Sequence, residues 1–359
     1  MRKHNFSAGP SVLPVPVLEE LGANMVDYQT TGLSLIEVSH RGKAYDAVHQ
    51  QALDGLKKQL GVPDSHKILL LAGGATLQFG MVPMNLLKPG GSADIVVSGS
   101  WAQKALADLK KLGAANVIYD GSDNNYTELP DPSSITPGAG ASYLHITSNE
   151  TIGGLQWKSF PDTGDVPLVA DMSSDILSRP IDVSRFGLIY AGAQKNMGPA
   201  GVTVVVIRDD VLERCADLPA YLSYRTHAEK DSLYNTPPVF AVWALELVMK
   251  WIDSEGGVRG IERKNTEKAA RVYGVIDANS EFYRCPVRTD QRSPMNVVFR
   301  LPNEDLEKQF VAESVEHGMV GLKGHRSVGG IRASLYNALP LESAEVLAGF
   351  MEEFVRKNG

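Results

Sequence analysis

Seven short apolar runs constrain this chain more than any other feature. Each is closed by glycine or a polar residue and followed by a stretch with helical spacing. They cover 68–71, 94–97, 117–119, 143–146, 168–170, 188–190 and 202–207. Most are continuously apolar rather than alternating, which is the pattern of strands buried on both faces. The fold class is therefore α/β, with a mostly parallel sheet carrying crossover helices. Ligands of such sheets bind beyond the carboxyl ends of the strands, so residues at those ends are the candidates for chemistry.

The pattern changes after Pro237-Pro238. A helical stretch over 239–252 runs into the stop signal Glu255-Gly256-Gly257. Beyond it, helix 259–276, strand 296–301, helix 303–317, strand 331–335 and helix 343–357 read as a small α+β domain. The expected division is a large domain over 15–257 and a small one over 258–359, joined by the N-terminal segment 1–14.

Charge and cysteine usage narrow the function classes. With 35 Lys+Arg against 42 Asp+Glu, the chain lacks the basic excess that neutralising nucleic-acid phosphates requires. Cys215 and Cys285 form neither a disulfide framework nor a C-x-x-C metal or redox site, so a reducing, cytoplasmic setting and no bound metal are expected. The N-terminus has no apolar signal core, and no stretch approaches the roughly 18 uninterrupted apolar residues of a membrane span.

The segment Tyr190-Ala-Gly-Ala-Gln194-Lys195-Asn196-Met-Gly198-Pro199-Ala-Gly201 lies between two apolar strands. Lys195 is either a solvated loop lysine or a desolvated amine whose depressed pKa makes it nucleophilic; its small, apolar neighbours leave the two readings evenly weighted. Asp171 closes the run 168–170 and is either a helix cap or a functional carboxylate. Together the two meet one cofactor's needs. Pyridoxal phosphate requires a lysine for its Schiff base and an acid beside its pyridine nitrogen.

Leu71-Ala72-Gly73-Gly74-Ala75-Thr76-Leu77-Gln78 follows a strand and opens a helix, which suits an anion but equally suits a tight connection. Trp101, just past the run 94–97, is either a stacking platform or a structural tryptophan. His40-Arg41, His325-Arg326 and Arg332 are the candidates for holding a doubly charged substrate, against the commoner role of surface residues. Both His-Arg pairs adjoin glycine, at Gly42 and Gly324.

The motifs Asn5-Phe-Ser-Ala-Gly-Pro10, Glu37-Val-Ser-His-Arg-Gly42, Asn149-Glu-Thr-Ile-Gly153, Ile176-Leu-Ser-Arg-Pro-Ile-Asp182, Ala191-Gly-Ala-Gln-Lys-Asn196, Asn235-Thr-Pro-Pro238, Lys323-Gly-His-Arg326 and Arg332-Ala-Ser-Leu-Tyr-Asn337 span the chain. In them the sequence resembles the phosphoserine aminotransferases of the class-V aminotransferase family. The resemblance implies a fold type I pyridoxal-phosphate transferase with a mostly parallel mixed sheet. It also implies a homodimer that exchanges an amino group between L-glutamate and a phosphorylated 2-oxo acid, 3-phosphohydroxypyruvate. Lys195 would carry the cofactor, Asp171 would pair with its ring nitrogen, Trp101 would stack on the ring, and Thr151 would bond its phenolic oxygen. Ala75, Thr76 and Gln194 would hold its phosphate, with Asn235 and Thr236 arriving from the other subunit. Arg332 would take the substrate α-carboxylate, and His40, Arg41, His325 and Arg326 its second anionic group. Some relatives carry arginine where this chain has Thr76.

Two rivals follow from the same residues. One is another enzyme of this fold, such as an alanine–glyoxylate aminotransferase or a cysteine desulfurase. The other is a nucleotide-binding α/β protein using the Gly73-Gly74 turn, which leaves Lys195 unexplained.

Overall fold

A computed structural model describes residues 2–359. All seven runs become strands of one sheet: β1 (His66–Leu71), β2 (Ser92–Val97), β3 (Ala114–Asp120), β4 (Leu144–Thr147), β5 (Leu168–Asp171), β6 (Leu188–Gly192) and β7 (Thr203–Arg208). Their order is β1-β7-β6-β5-β4-β2-β3. Only β7 runs against its neighbours β1 and β6. The connection 193–202 is shorter than the dozen or more residues a parallel crossover needs, so the chain returns antiparallel.

Successive strand residues enter opposite cores, which is why the runs are continuously apolar. Val96, Ile146, Ala170, Ile189 and Val204 join one core, with Leu56 of α1 (Lys43–Leu60). Ile95, Val97, Val169, Tyr190 and Val205 join the other, with Phe79 and Met81 of α2 (Gly74–Leu86) and Leu109 of α3 (Ser100–Leu112). Strand β3 departs from this pattern. It sits at the sheet edge, and Val117 is 40% exposed.

Helix α4 (Val239–Ser254) covers the first core with Val242, Trp243, Leu245 and Val248. The long α5 (Gly257–Ala278) begins in that core with Val258 and Ile261 and ends in a third with Val272, Val275 and Ile276. Strands β8 (Asn296–Phe299) and β9 (Ile331–Ser334) pair antiparallel there, under α6 (Glu304–Glu316) and α7 (Leu341–Asn358). The N-terminal segment belongs to the third core as well. His4 and Asn5 pair with Met319 and Val320, and Phe6 is fully buried among Phe299, Phe310 and Leu347. Beyond Phe6 the segment crosses to the carboxyl ends of β5 and β6.

Candidate active site

A cleft of about 270 Å³ opens at those strand ends, lined by the Ala8–Gly9 segment, the α2 N-terminus, Trp101, Thr151, Asp171, Gln194, Lys195, His325 and Arg332. It lies where open α/β sheets place their ligands. Each polar group reaches it for a local reason.

Asp171 is the last residue of β5, a strand inside the sheet, so its side chain is buried at the floor. Burial raises its pKa; the Ser173 side chain and N–H and the Lys195 charge oppose the shift without cancelling it. The Ser173 N–H reaches Oδ1 at 2.9 Å.

Lys195 follows β6 in a turn pinned to the N-terminal segment. The Ser11 hydroxyl donates to the Lys195 carbonyl at 2.6 Å, and the Ser11 N–H to the Gln194 carbonyl at 3.0 Å. The Lys195 amine donates to Thr151 Oγ1 at 2.7 Å and stands 5.5 Å from the centre of the Trp101 ring. Burial lowers its pKa to about 8, Arg332 adds to the shift and Asp171 opposes it. Much more of it is neutral amine at pH 7–8 than of a solvated lysine, the condition that the desolvated-amine reading requires.

The turn between β1 and α2 offers backbone donors. Gly73 holds φ +94°, and a Cβ there would lie 2.5 Å from the Leu77 side chain, so only glycine fits. The first α-helical bond runs from the Leu77 N–H to the Gly73 carbonyl at 3.2 Å. The N–H groups of Gly74, Ala75 and Thr76 therefore stand ahead of the helical ladder, where an anion is favoured.

Arg332 arrives on β9, whose register sets it opposite Val298. It makes no ion pair among the described residues, and burial lowers its pKa. A cation so placed could bind a carboxylate. His325 bonds Ser327 Oγ at 2.7 Å, and desolvation lowers its pKa, with the charges of Arg332, Arg326 and Lys104 adding to the effect. Past these two residues a side cavity of about 220 Å³ continues between Tyr126 and Arg300.

Trp101 Nε1, Thr147 Oγ1, Asn149 Oδ1 and Arg332 Nε are buried and lack partners among the described residues, and all four residues line the cleft. An amine, a floor carboxylate, a row of free N–H groups and unpaired polar atoms make a donor set that fits pyridoxal phosphate: aldehyde, ring nitrogen, phosphate and ring substituents each find a complement. Cys215 is buried with its pKa pushed up to about 12, and neither cysteine lines the cleft, so no thiolate serves it.

A family model for aminotransferase class-V matches residues 3–347. Phosphoserine aminotransferase from Geobacillus kaustophilus (strain HTA426) is 55% identical over 357 residues, 99% of each chain. The chain belongs to the phosphoserine aminotransferase family. The structure of phosphoserine aminotransferase from Bacillus circulans subsp. alkalophilus superposes with a TM-score of 0.98 at 53% identity, over 100% of this chain and 99% of that one. The PLP-bound phosphoserine aminotransferase of Trichomonas vaginalis superposes at 0.93 with 38% identity, over 98% of this chain and 100% of that one.

Not every residue expected at the site of a phosphoserine aminotransferase lines the cleft of a single chain. Ala75, Thr76, Trp101, Thr151, Asp171, Gln194, Lys195, His325 and Arg332 do; His40, Arg41, Arg326, Asn235 and Thr236 do not. Arg41, Arg326, Asn235 and Thr236 are exposed, and His40 is half-exposed. Sequence reasoning also missed lining residues. Ser173 and Ser174 follow Asp171, and Asn149 precedes Thr151, so the strand-end rule could have found them. Nothing local marks Ala8 and Gly9.

Proposed function

We propose that this enzyme transfers the amino group of L-glutamate to 3-phosphohydroxypyruvate, giving O-phospho-L-serine and 2-oxoglutarate, with pyridoxal phosphate as its cofactor. The observation that carries the reading is the depressed Lys195 amine, bonded to Thr151 and facing the Asp171 charge, in the same cleft as an arginine that has no carboxylate partner among the described residues. The reading belongs to cytoplasmic serine biosynthesis and extends to 4-phosphohydroxy-L-threonine in vitamin B6 synthesis.

When bound, the cofactor supplies an electron sink for the substrate's Cα. The chain does the rest. Lys195 would tether it and, once displaced by the incoming amine, would carry the proton away from Cα. Asp171 would keep a proton on the ring nitrogen, because an anion in a buried floor favours a positive partner. The N–H groups of Ala75 and Thr76, with Gln194, would hold the phosphate, Thr151 the phenolic oxygen and Trp101 a ring face. Arg332 would orient the α-carboxylate by a two-pronged contact, and His325 and Arg326 would take the distal anion.

The half-exposed His40 and the exposed Arg41, Asn235 and Thr236 fit this scheme if a second copy supplies them. Their segments carry exposed apolar side chains: Val26 at 85%, Leu33 and Ile36 at 51%, and Tyr234 at 47%. Tyr28 of the first segment packs edge-on at 5.4 Å against Trp243 on α4, the helix that follows the second. Covering that face in a homodimer would bury the patch and bring its polar neighbours to the partner's cleft.

Two measurements test the reading. Purified protein supplied with pyridoxal phosphate should transaminate glutamate with 3-phosphohydroxypyruvate at least about 100-fold more efficiently than with glyoxylate, because glyoxylate leaves the groups assigned to the distal anion without a partner. Alanine–glyoxylate turnover without turnover of the phosphorylated substrate would overturn it. For the dimer, mixing inactive Lys195→Ala and Asn235→Ala chains should restore part of the activity; no restoration from a confirmed mixed dimer would remove Asn235 from the shared site.

A further inference from the structure

Glu150 is a buried carboxylate with no part in the chemistry above. It is 1% exposed and follows β4. Its oxygens face the start of α3. Oε2 accepts the Trp101 N–H at 3.3 Å, and Oε1 accepts the Ala102 N–H and the Ser98 hydroxyl, each at 3.3 Å. These N–H groups precede the first helical bond, from the Gln103 N–H to the Gly99 carbonyl at 3.0 Å, and have no partner within the helix. Gly99, at the cap position, has no side chain to serve them. A Cβ at Gly99 would lie 2.5 Å from Glu150 Cδ, so the missing side chain makes room for the distant carboxylate.

Glu150 therefore caps α3 from another loop, and both neighbours of this contact are site residues. The capped helix carries Trp101 in its first turn. The residue after Glu150 is Thr151, which accepts the Lys195 amine. The loops holding Trp101 and Thr151 are separate in sequence, and the carboxylate ties one to the other through three hydrogen bonds.

We propose that Glu150 is a positioning residue that docks the first turn of α3 onto the Thr151–Lys195 unit and thereby sets the spacing and tilt of the Trp101 ring over the cofactor. Burial raises the Glu150 pKa to about 7, with the Ala102, Trp101 and Ser98 donors opposing the shift, so the carboxylate is the main form above that pH. Because its two oxygens then accept from three donors at once, an amide of the same shape fails: glutamine keeps one oxygen and turns an NH₂ group toward N–H donors. The inference rests on the proposed cofactor role of Trp101 and deepens it.

The test uses the full-length holoenzyme and the variants Glu150→Gln and Gly99→Ala, singly and combined. Cofactor dissociation constants, visible circular dichroism of the bound cofactor, and kcat and KM for glutamate are measured, with far-UV dichroism reporting the fold. At pH 8, where the carboxylate is the main form, Glu150→Gln should weaken cofactor binding about 5- to 10-fold, as expected for losing a helix cap, and should reduce the visible dichroic band. It should lower kcat with little change in KM. Gly99→Ala, which pushes the carboxylate out of its slot, should do the same, and the double variant should be no worse than either single one. Should one variant fail to fold, the other carries the test. Wild-type dissociation constant and dichroism in a folded Glu150→Gln or Gly99→Ala enzyme, or fully additive losses in the double variant, would overturn the proposal. Failure of the wild-type protein to develop any visible band with pyridoxal phosphate would instead sink the functional reading beneath it.

Discussion

The Lys195 amine and the Thr151 hydroxyl meet at 2.7 Å from separate loops, one after β6 and one after β4. Around them, the Tyr336 hydroxyl donates to the Ala8 carbonyl at 2.9 Å, Asn296 Nδ2 donates to Tyr336 Oη at 3.2 Å, and the Asn337 N–H donates to Asn196 Oδ1 at 3.0 Å. The reactive amine is held by the large sheet, the N-terminal segment and the C-terminal core together.

Burial lowers the Lys195 pKa to about 8, and only the neutral amine attacks an aldehyde. Uptake of pyridoxal phosphate by the apo-protein, followed by visible absorbance, should therefore quicken with rising pH to a midpoint near 8. Asp171 raises this pKa and Arg332 lowers it, so Asp171→Asn should move the midpoint down and Arg332→Gln should move it up. A midpoint at the ordinary lysine value of 10.5 would mean that the amine is solvated.

Asp171→Ala should retain some cofactor yet lose on the order of 100-fold or more in kcat, since nothing else in the floor keeps the ring nitrogen charged. Stability should not follow activity. Burial raises the Asp171 pKa, so its charge opposes folding: the cost begins as pH rises past the ordinary carboxyl value and is complete only above the raised value of the folded protein. The apo-protein Asp171→Asn should thus melt no lower than the parent at neutral pH, as calorimetry can show; near-normal turnover by Asp171→Ala would refute the assignment.

Arg332 has no carboxylate partner among the described residues, so replacing it strands no buried charge there. Arg332→Gln should bind the cofactor normally and raise KM for glutamate about 10- to 100-fold, the worth of a charge-assisted bidentate contact. Steady-state kinetics decide the point. An unchanged KM would assign the α-carboxylate to another residue.

Lys268 on α5 is fully buried, and its amine donates to the carbonyls of Leu335 at 3.0 Å and Tyr336 at 2.7 Å. Burial lowers its pKa to about 7. Lys268→Ala leaves both carbonyls without their donor and should cost about 2–4 kcal/mol in urea melts. Because the folded protein disfavours the charged amine, wild-type stability should gain from Lys268 as pH rises from about 7 toward 10.5, a slope that Lys268→Met removes. If the two proteins keep parallel pH–stability curves, the amine is charged in the fold.

The amino-acid sequence by itself determined the seven strands, because burial on both faces writes itself into most of the runs as near-continuous apolar residues, the edge strand β3 excepted. It also marked Lys195 and Asp171, which sit at strand ends amid small or apolar neighbours. Only the tertiary structure decided which of the remaining candidates share the cleft. Arg332 and His325 reach it because β9 packs beside the sheet, and Gly9 because Phe6 anchors the N-terminus in the distant core, whereas the equally basic His40-Arg41 stays outside the cleft of its own chain. Glu150 reads locally as one more acid and acquires its partner only when β4 and β2 become sheet neighbours. Local composition reports burial, which each residue experiences alone; convergence depends on contacts between residues far apart in the chain, and those follow from strand order and packing.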